Sequence, residues 1–387
     1  MSRWADYLAQ LSSAEDVLAM LAGDADPADL ADAERMLFMA LASGWLTTFA
    51  DRDNPDFVPA VGTHFNLVGT NPDFIYAAAS IDGDGSYLIT GERGESLFVQ
   101  MDITAGGLGV MEAMGPSLGT VDFDHLAVDG EGRFSLMLSH ERPAGWSGDW
   151  RHLDPSARSL SLRQASYDWG AEREARIAIE RTDIVHSPRR WTEREIGERL
   201  TALCGYPKRI GTMSLGFIAA QKQKGLWNAF EHDDWAGRGG VEGQHYYQGL
   251  FRLERGSALL LETGLPETVR YWNVQLNDLC WKTIDWMNRQ SSLNGGQASI
   301  DADGRFRAVI ALDDPGIANW LDPGGHSAGS IMLRWSGASN GPEPSLTVIP
   351  LDELDARLPT ETKRILPADR EEALRARRRA VQMRRRW

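Results

Sequence analysis

Apolar side chains recur every three or four residues through Asp16–Ala22 and Asp29–Leu46, with Asp and Ser on hand as caps. This spacing predicts an acidic helical cap over residues 1–55. From Asn71 the period falls to two. The runs at 74–81, 86–90, 96–101, 134–139, 159–164 and 176–180 read as strands and give a first sheet domain over 56–187. Helical spacing returns between Thr192 and Trp227, inside a connector over 188–240 where Gly237-Arg-Gly-Gly marks a linker or turn. Further strand-like runs at 247–253, 258–262, 270–276, 298–301, 306–312, 331–335 and 346–349 make a second sheet domain over 241–350. Residues 351–387 form a tail whose apolar helical stripe is thin: Leu366, Ala373, Leu374, Ala380 and Val381.

Three segments repeat one design: Ile81-Asp-Gly-Asp-Gly-Ser-Tyr87, Val128-Asp-Gly-Glu-Gly-Arg-Phe134 and Ile300-Asp-Ala-Asp-Gly-Arg-Phe306. Each joins an apolar strand end to an aromatic strand start through an acidic turn with Gly where positive φ is wanted, and so predicts an antiparallel hairpin. The Asp-x-Asp-Gly pieces also open like calcium loops. The twelfth position from Asp82 is Arg93, however, and from Asp301 it is Leu312, where a bidentate Glu is required.

With 387 residues and 42% apolar content the chain has material for more than one core. Its net charge of −15 repels phosphate backbones and anionic lipid, which argues against nucleic acid or membrane as partner. No window approaches a membrane span. Two cysteines, Cys204 and Cys280, make neither a disulfide framework nor a Cys-based zinc site, and the opening MSRWADYLAQ lacks the order of a signal peptide. A reduced, cytoplasmic protein is expected. The charge is uneven: residues 364–387 hold nine arginines against three acids, a balance of +6 that leaves −21 on the rest. The tail is therefore expected to dock on acidic surface of its own chain or of a neighbouring copy, the second case giving a homo-oligomer.

Motif searches exclude more than they find. Gly325-His-Ser-Ala-Gly329 spells a nucleophile elbow, but Asp322-Pro-Gly-Gly precedes it, a strand-like run follows, and His326 is the last histidine, so a turn between strands is the reading. There is no P-loop, no dinucleotide fingerprint and no H-E-x-x-H, and no cofactor or metal is expected. Glu231-His-Asp-Asp234 reads as a solvated loop.

The chain has 14 tryptophans, several set beside amides, as in Tyr271-Trp-Asn-Val-Gln and Asn319-Trp-Leu-Asp. Flat apolar faces with orienting amides build pockets for small ring-bearing molecules, although tryptophans also fill cores. On a strand, Tyr271, Asn273, Gln275 and Asn277 share one face, a candidate cavity wall. Asn71-Pro-Asp-x-x-Tyr76, Arg142-Pro-x-x-Trp146, Arg163-Gln-x-x-x-Tyr167-Asp-Trp, Arg270-Tyr-Trp-Asn-Val-Gln-Leu, Asn288-Arg-Gln-x-Ser-Leu-Asn294 and Asp314-Pro-Gly-x-x-Asn-Trp-Leu-Asp322 with Gly325-His326 together resemble the bacterial family called domain of unknown function 1214, over about residues 60–350.

That resemblance implies a mainly β fold of two stacked antiparallel β-sandwich or jelly-roll units, here with a helical cap, a helical connector and a helical tail. It supplies no agreed reaction. The expected function is a cofactor-free enzyme (lyase, hydratase, isomerase or hydrolase) working by acid–base chemistry on a moderately apolar oxygenated ring compound. The alternative is a non-catalytic module binding a glycan or similar ligand. The candidate catalytic set is His326, Asp322, Tyr76 and Arg270. Asn71, Asp73, Trp272, Asn273, Asp285, Arg289, Asn294 and Trp320 are the candidate substrate-binding set. His326, Asp322, Asn273, Arg270 and Tyr76 are expected to converge on one cavity.

Overall fold

The computed structural model describes residues 3–21, 27–111, 115–185, 190–235 and 243–384, and the expected linker at 237–240 lies outside them. Helices α1 (Arg3–Leu11), α2 (Glu15–Leu18) and α3 (Pro27–Thr48) come first. Eight strands follow: β1 (Phe74–Ser80), β2 (Tyr87–Glu92), β3 (Phe98–Thr104), β4 (Ser117–Asp122), β5 (Arg133–Ser139), β6 (Asp149–His152), β7 (Ser159–Ala165) and β8 (Arg176–Arg181). Helix α4 (Glu193–Gln223) leads to β9 (Glu231–Asp233), β10 (Gln244–Arg252), β11 (Ser257–Thr263), β12 (Tyr271–Asn277), β13 (Ser292–Asn294), β14 (Phe306–Ile310), β15 (Trp320–Leu321), β16 (Ala328–Ser336) and β17 (Ser345–Pro350). The chain closes with α5 (Leu354–Arg357) and α6 (Pro367–Met383). No helix among the described residues is long and apolar enough to cross a membrane.

The fold is mainly β. Its strands form four open sheets, β1-β7-β3-β4 and β6-β5-β2-β8 in the first half, β13-β12-β16-β10-β9 and β15-β14-β11-β17 in the second. Pairing is antiparallel except at β5–β6 and β14–β15. Each half has one principal core fed by both its sheets. In the first, Ala79, Val99, Met101 and Leu162 meet Ile89, Leu136 and Leu138, and in the second Trp272, Val274, Leu333 and Trp335 meet Leu259, Leu261 and Phe306. The alternation read from the sequence is the cause, since in a strand only every second side chain can enter such a core.

The turn chemistry was legible and the pairing was not. Ile81–Tyr87 does reverse the chain, with Gly85 N–H on Asp82 O at 2.9 Å and Asp82 N–H on the Tyr87 hydroxyl at 2.8 Å. It nevertheless carries β1 of one sheet into β2 of the other, and Val128–Phe134 likewise crosses from β4 to β5, so neither is the expected hairpin. Only Ile300 and Phe306 pair across their turn, as an isolated bridge without a strand at 298–301.

Helix α4, about 46 Å long at ~1.5 Å per residue, starts at a capping box in which Thr192 and Glu195 bond reciprocally. Its Tyr206 and Ile210 pack with Met36 and Ala40 of α3, while Met213, Phe217 and Ile218 pack on Tyr246 and Leu250 of β10. The tail docks on its own chain, and by burial more than by surface charge. Arg370 pairs with Asp314 at 3.0 Å and Arg384 with Glu174 at 2.7 Å, both guanidiniums buried. Arg377 donates to Trp286 O at 2.5 Å and Ser292 Oγ at 2.7 Å.

Candidate functional site

Tyr271, Asn273, Gln275 and Asn277 do share one face of β12. It points away from the core of its half, yet all four are buried. What covers them is the segment preceding β1. Asn273 Nδ2 donates to Asn71 Oδ1 at 3.1 Å, Gln275 Nε2 to Gly69 O at 3.2 Å, and Tyr271 Oη to Asp73 Oδ2 at 2.7 Å. Asp73 Oδ1 accepts from Asn294 Nδ2 at 2.6 Å and from Trp169 Nε1 at 2.9 Å. Burial pushes the Asp73 carboxyl above the usual range, and its hydrogen-bond donors pull it partly back. Arg384 donates to the Asp73 carbonyl at 2.9 Å, so the tail closes the same network.

Beside this network lies a cavity of about 860 Å³, between the outer face of β1 and β7, the outer face of β10 and β16, and helices α3 and α4. It exists because the sequence places small residues, Ala78, Ser80, Ser159 and Ser161, on the non-core positions of β1 and β7. Each sheet sends one arginine to it with a tyrosine directly across the strand pair: Tyr76 opposite Arg163, and Tyr246 opposite Arg334. Burial pushes the Tyr76 hydroxyl up while the positive charges of Arg334 and Arg163 oppose that rise, so the groups sense one another across the sheets. The Arg334 guanidinium stands 5.8 Å from the centre of the Tyr246 ring. Arg163 forms an ion pair with Asp102, itself an acceptor from Thr120 at 2.8 Å.

Two indoles, Trp235 and Trp281, give the wall an aromatic face, with Phe217 packed behind them. Phe217, Trp281 and Trp235 stack in series, with ring centres 4.1 Å and 5.6 Å apart. Among the described residues four non-glycines have left-handed backbone, and three of them, Val68 (φ 50°), Trp235 (φ 54°) and Trp281 (φ 53°), line this cavity. For a β-branched valine that conformation is costly, and such strain gathers at ligand sites. Trp281 Nε1 and, on a further lining residue, Gln244 Oε1 are buried without hydrogen-bond partners.

Of the residues expected to converge, Tyr76 lines the cavity and Asn273 adjoins it through Arg334; Asn71, from the candidate substrate-binding set, lines it as well. His326 does not. It is half-buried in the loop before β16, and the six steps along the strand from Ala328 to Arg334, the partner of Asn273, span about 20 Å. Asp322 bonds Arg289 at 3.0 Å and Gly324 N at 2.7 Å, a loop-fixing pair. Arg270 has its fork filled by Asp122, at 2.6 Å, and Asp124, and it stacks 4.9 Å over Phe98, joining the two halves. Asp73 and Asn294 belong to the buried network. Trp272 is core, Trp320 donates to Ala311 O at 2.9 Å, and Asp285 accepts from Asn288 at 3.0 Å.

Sequence reasoning missed Arg334 and Tyr246. The available signal was a charge inside an apolar run, Ile331-Met-Leu-Arg-Trp335, where a buried strand has no other reason to carry one.

No family model matches the chain, and no curated protein does. Among solved structures, a protein from Vibrio parahaemolyticus aligns over 82% of this chain and 99% of its own at 12% identity, with a TM-score of 0.47, too low to establish a shared fold. An uncharacterized protein from Burkholderia cenocepacia superposes with a TM-score of 0.84 at 26% identity, covering 90% of this chain and 97% of that one, and the two share a fold.

Proposed function

We propose that this protein takes a small, moderately apolar oxygenated molecule into the cavity between its two pairs of sheets. The observation that carries the reading is a coincidence on one cavity: apolar and aromatic walls, converging guanidinium and phenol groups, and three non-glycine residues held in left-handed backbone. Ligand pockets are built of such mixtures. Binding without turnover is what these groups favour. The acid–base enzyme expected from His326 and Asp322 is left without geometric support, because neither lines the cavity, and Tyr76, whose hydroxyl burial keeps protonated, is a donor rather than a base. The same reading takes each pair of sheets as a stacked β-sandwich, on the ground that one core in each half draws side chains from both sheets. It keeps the relation to domain of unknown function 1214 on the ground that the motif residues Asn71, Asp73, Asn273 and Asn294 join one network.

The test is a thermal-shift screen of neutral and charged metabolites on the wild type and on Ala78→Trp, which fills the cavity from β1. Hits are expected to saturate, adding about 2.7 kcal/mol at 100 times their dissociation constant, and to lose their effect in Ala78→Trp. A screen without hits, or hits that bind Ala78→Trp undiminished, overturns the reading.

A further inference from the structure

We infer that the ligand of this cavity is a monoanion, a carboxylate on an apolar body, held by Arg334 and Tyr76. The inference rests on the cavity being a binding site and goes on to name what enters it. Arg334 is 6% exposed and sits within β16. Its Nη1 donates to the amide oxygens of Asn273 at 3.2 Å and Gln275 at 2.5 Å, and its Nη2 makes a long contact with Gly69 O at 3.4 Å. All three acceptors are neutral. Among the described residues no carboxylate lies within ion-pair distance of Arg334, and its Nε finds no hydrogen-bond partner. A guanidinium removed from water and given only dipoles is an expensive state that an incoming anion relieves.

The charge count sets the class. The other charged lining residues, on the segment 51–53, at Asp82 and Arg158 and in the first turns of α4, lie toward the far end of β1 and β7, so at the Tyr76 end Arg163, paired with Asp102, and Arg334 leave one positive charge in excess. A carboxylate balances it, whereas a doubly charged phosphate ester would leave a negative charge stranded in a desolvated site. The shape agrees: the Nε and Nη2 edge of a guanidinium meets both oxygens of a carboxylate side-on. Tyr76 supplies a further donor. Its oxygen accepts from Asn71 N–H at 3.2 Å, and its own hydrogen has no acceptor among the described residues. Leu67, Val68, Met213, Met332 and Trp281 offer the apolar remainder of the ligand its walls.

The experiment titrates the full-length chain, by tryptophan fluorescence and calorimetry, with 4-phenylbutyrate, its neutral amide 4-phenylbutanamide and 4-phenylbutyl phosphate, together with a panel of aryl and alkyl acids and their amides. The acids are expected to bind at least about tenfold tighter than their amides, a difference of ~1.4 kcal/mol. Arg334→Gln should abolish that preference while leaving amide binding within about twofold, and Tyr76→Phe should weaken the acids alone. Should Arg334→Gln fold poorly, Arg334→Lys keeps the charge without the two-donor edge and is expected to bind acids about tenfold more weakly than the wild type. Acids and amides binding equally, both blocked by Ala78→Trp, would overturn the anion assignment and leave the cavity reading intact. Tighter binding of the phosphate ester overturns the monoanion, and no binding by any member overturns both.

Discussion

The Tyr271 hydroxyl donates to Asp73 Oδ2 at 2.7 Å, and this one bond ties β12 of the second half to the segment that opens the first sheet. Asp73 also takes hydrogens from Asn294 and Trp169, so Asp73→Ala strands three buried donors. At roughly 1–3 kcal/mol for each, a loss of about 3 kcal/mol or more is expected in urea unfolding. Asp73→Asn keeps an acceptor for the two N–H groups and should cost less than about 1 kcal/mol. The pH dependence has a definite sign. The folded carboxyl holds its proton above the unfolded value, so between those two values the folded chain binds more protons and the wild type loses stability as pH rises. The wild type should therefore compare best with Asp73→Asn at the acid end, and a comparison that improved toward neutral pH would contradict the assignment.

Gly69 has φ +63°, and a Cβ built on it would lie 2.7 Å from Trp281 Nε1. Gly69→Ala is expected to cost about 2 kcal/mol or more, from left-handed strain of ~1–2 kcal/mol plus displacement of the indole. Its tryptophan emission should shift with it. Gly225, at φ +71° with nothing within 4 Å of its Cβ, is the control: Gly225→Ala should show the strain alone, about 1 kcal/mol, with unchanged emission.

Removing residues 367–387 is expected to destabilise the protein strongly, and nearly equally at low and at molar salt, because Arg384 and Glu174 pair out of reach of solvent and the buried Arg370 guanidinium is held by the Ile317 carbonyl as well as by Asp314. Arg384→Ala alone, which leaves the buried Glu174 carboxylate unpaired, should account for about 3–5 kcal/mol of this. Arg375→Ala breaks only an exposed pair with Glu371 and should leave the unfolding midpoint essentially unchanged. Equal effects of the two substitutions would show that the tail is held by surface charge after all.

Cys204 and Cys280 are buried, and burial pushes both thiols up, away from the reactive thiolate. In the native chain a thiol reagent should modify them at least about a hundredfold more slowly than in denaturant, as followed by stopped-flow absorbance. Fast labelling of either cysteine in the folded protein would mean that helix α4 or the loop after β12 opens readily.

Alternation along β3, β7 and β12 was readable because each buries one face in a core and sets polar side chains on the other, so side-chain chemistry switches along the strand. The short strands β6, β9, β13 and β15 were not, since two to four residues carry no period. Nor does any local pattern say that Tyr87 begins a strand in a different sheet from Ser80, because that choice is made by contacts distant in sequence. The site divided in the same way. Tyr76, Asn71 and Asn273 were nominated and do meet at the cavity or beside it. His326 drew attention by sitting in a Gly- and Pro-rich loop, whereas Arg334 was overlooked because an arginine between Leu333 and Trp335 reads as an interruption of a core strand.

Arg384 donates to Pro72 O across 312 positions of chain and to Asp73 O across 311. A nascent chain that has delivered every strand to the outside of the ribosome therefore still carries an unfinished seam, with Asp73 and Glu174 lacking the guanidinium that meets them both. Synthesis up to residue 384 becomes a checkpoint for assembly. Until it is passed, both halves can form their sheets and meet through Tyr271–Asp73 and Arg270–Asp122, while the side of the seam that Arg384 covers stays open to water, to exchange and to proteases.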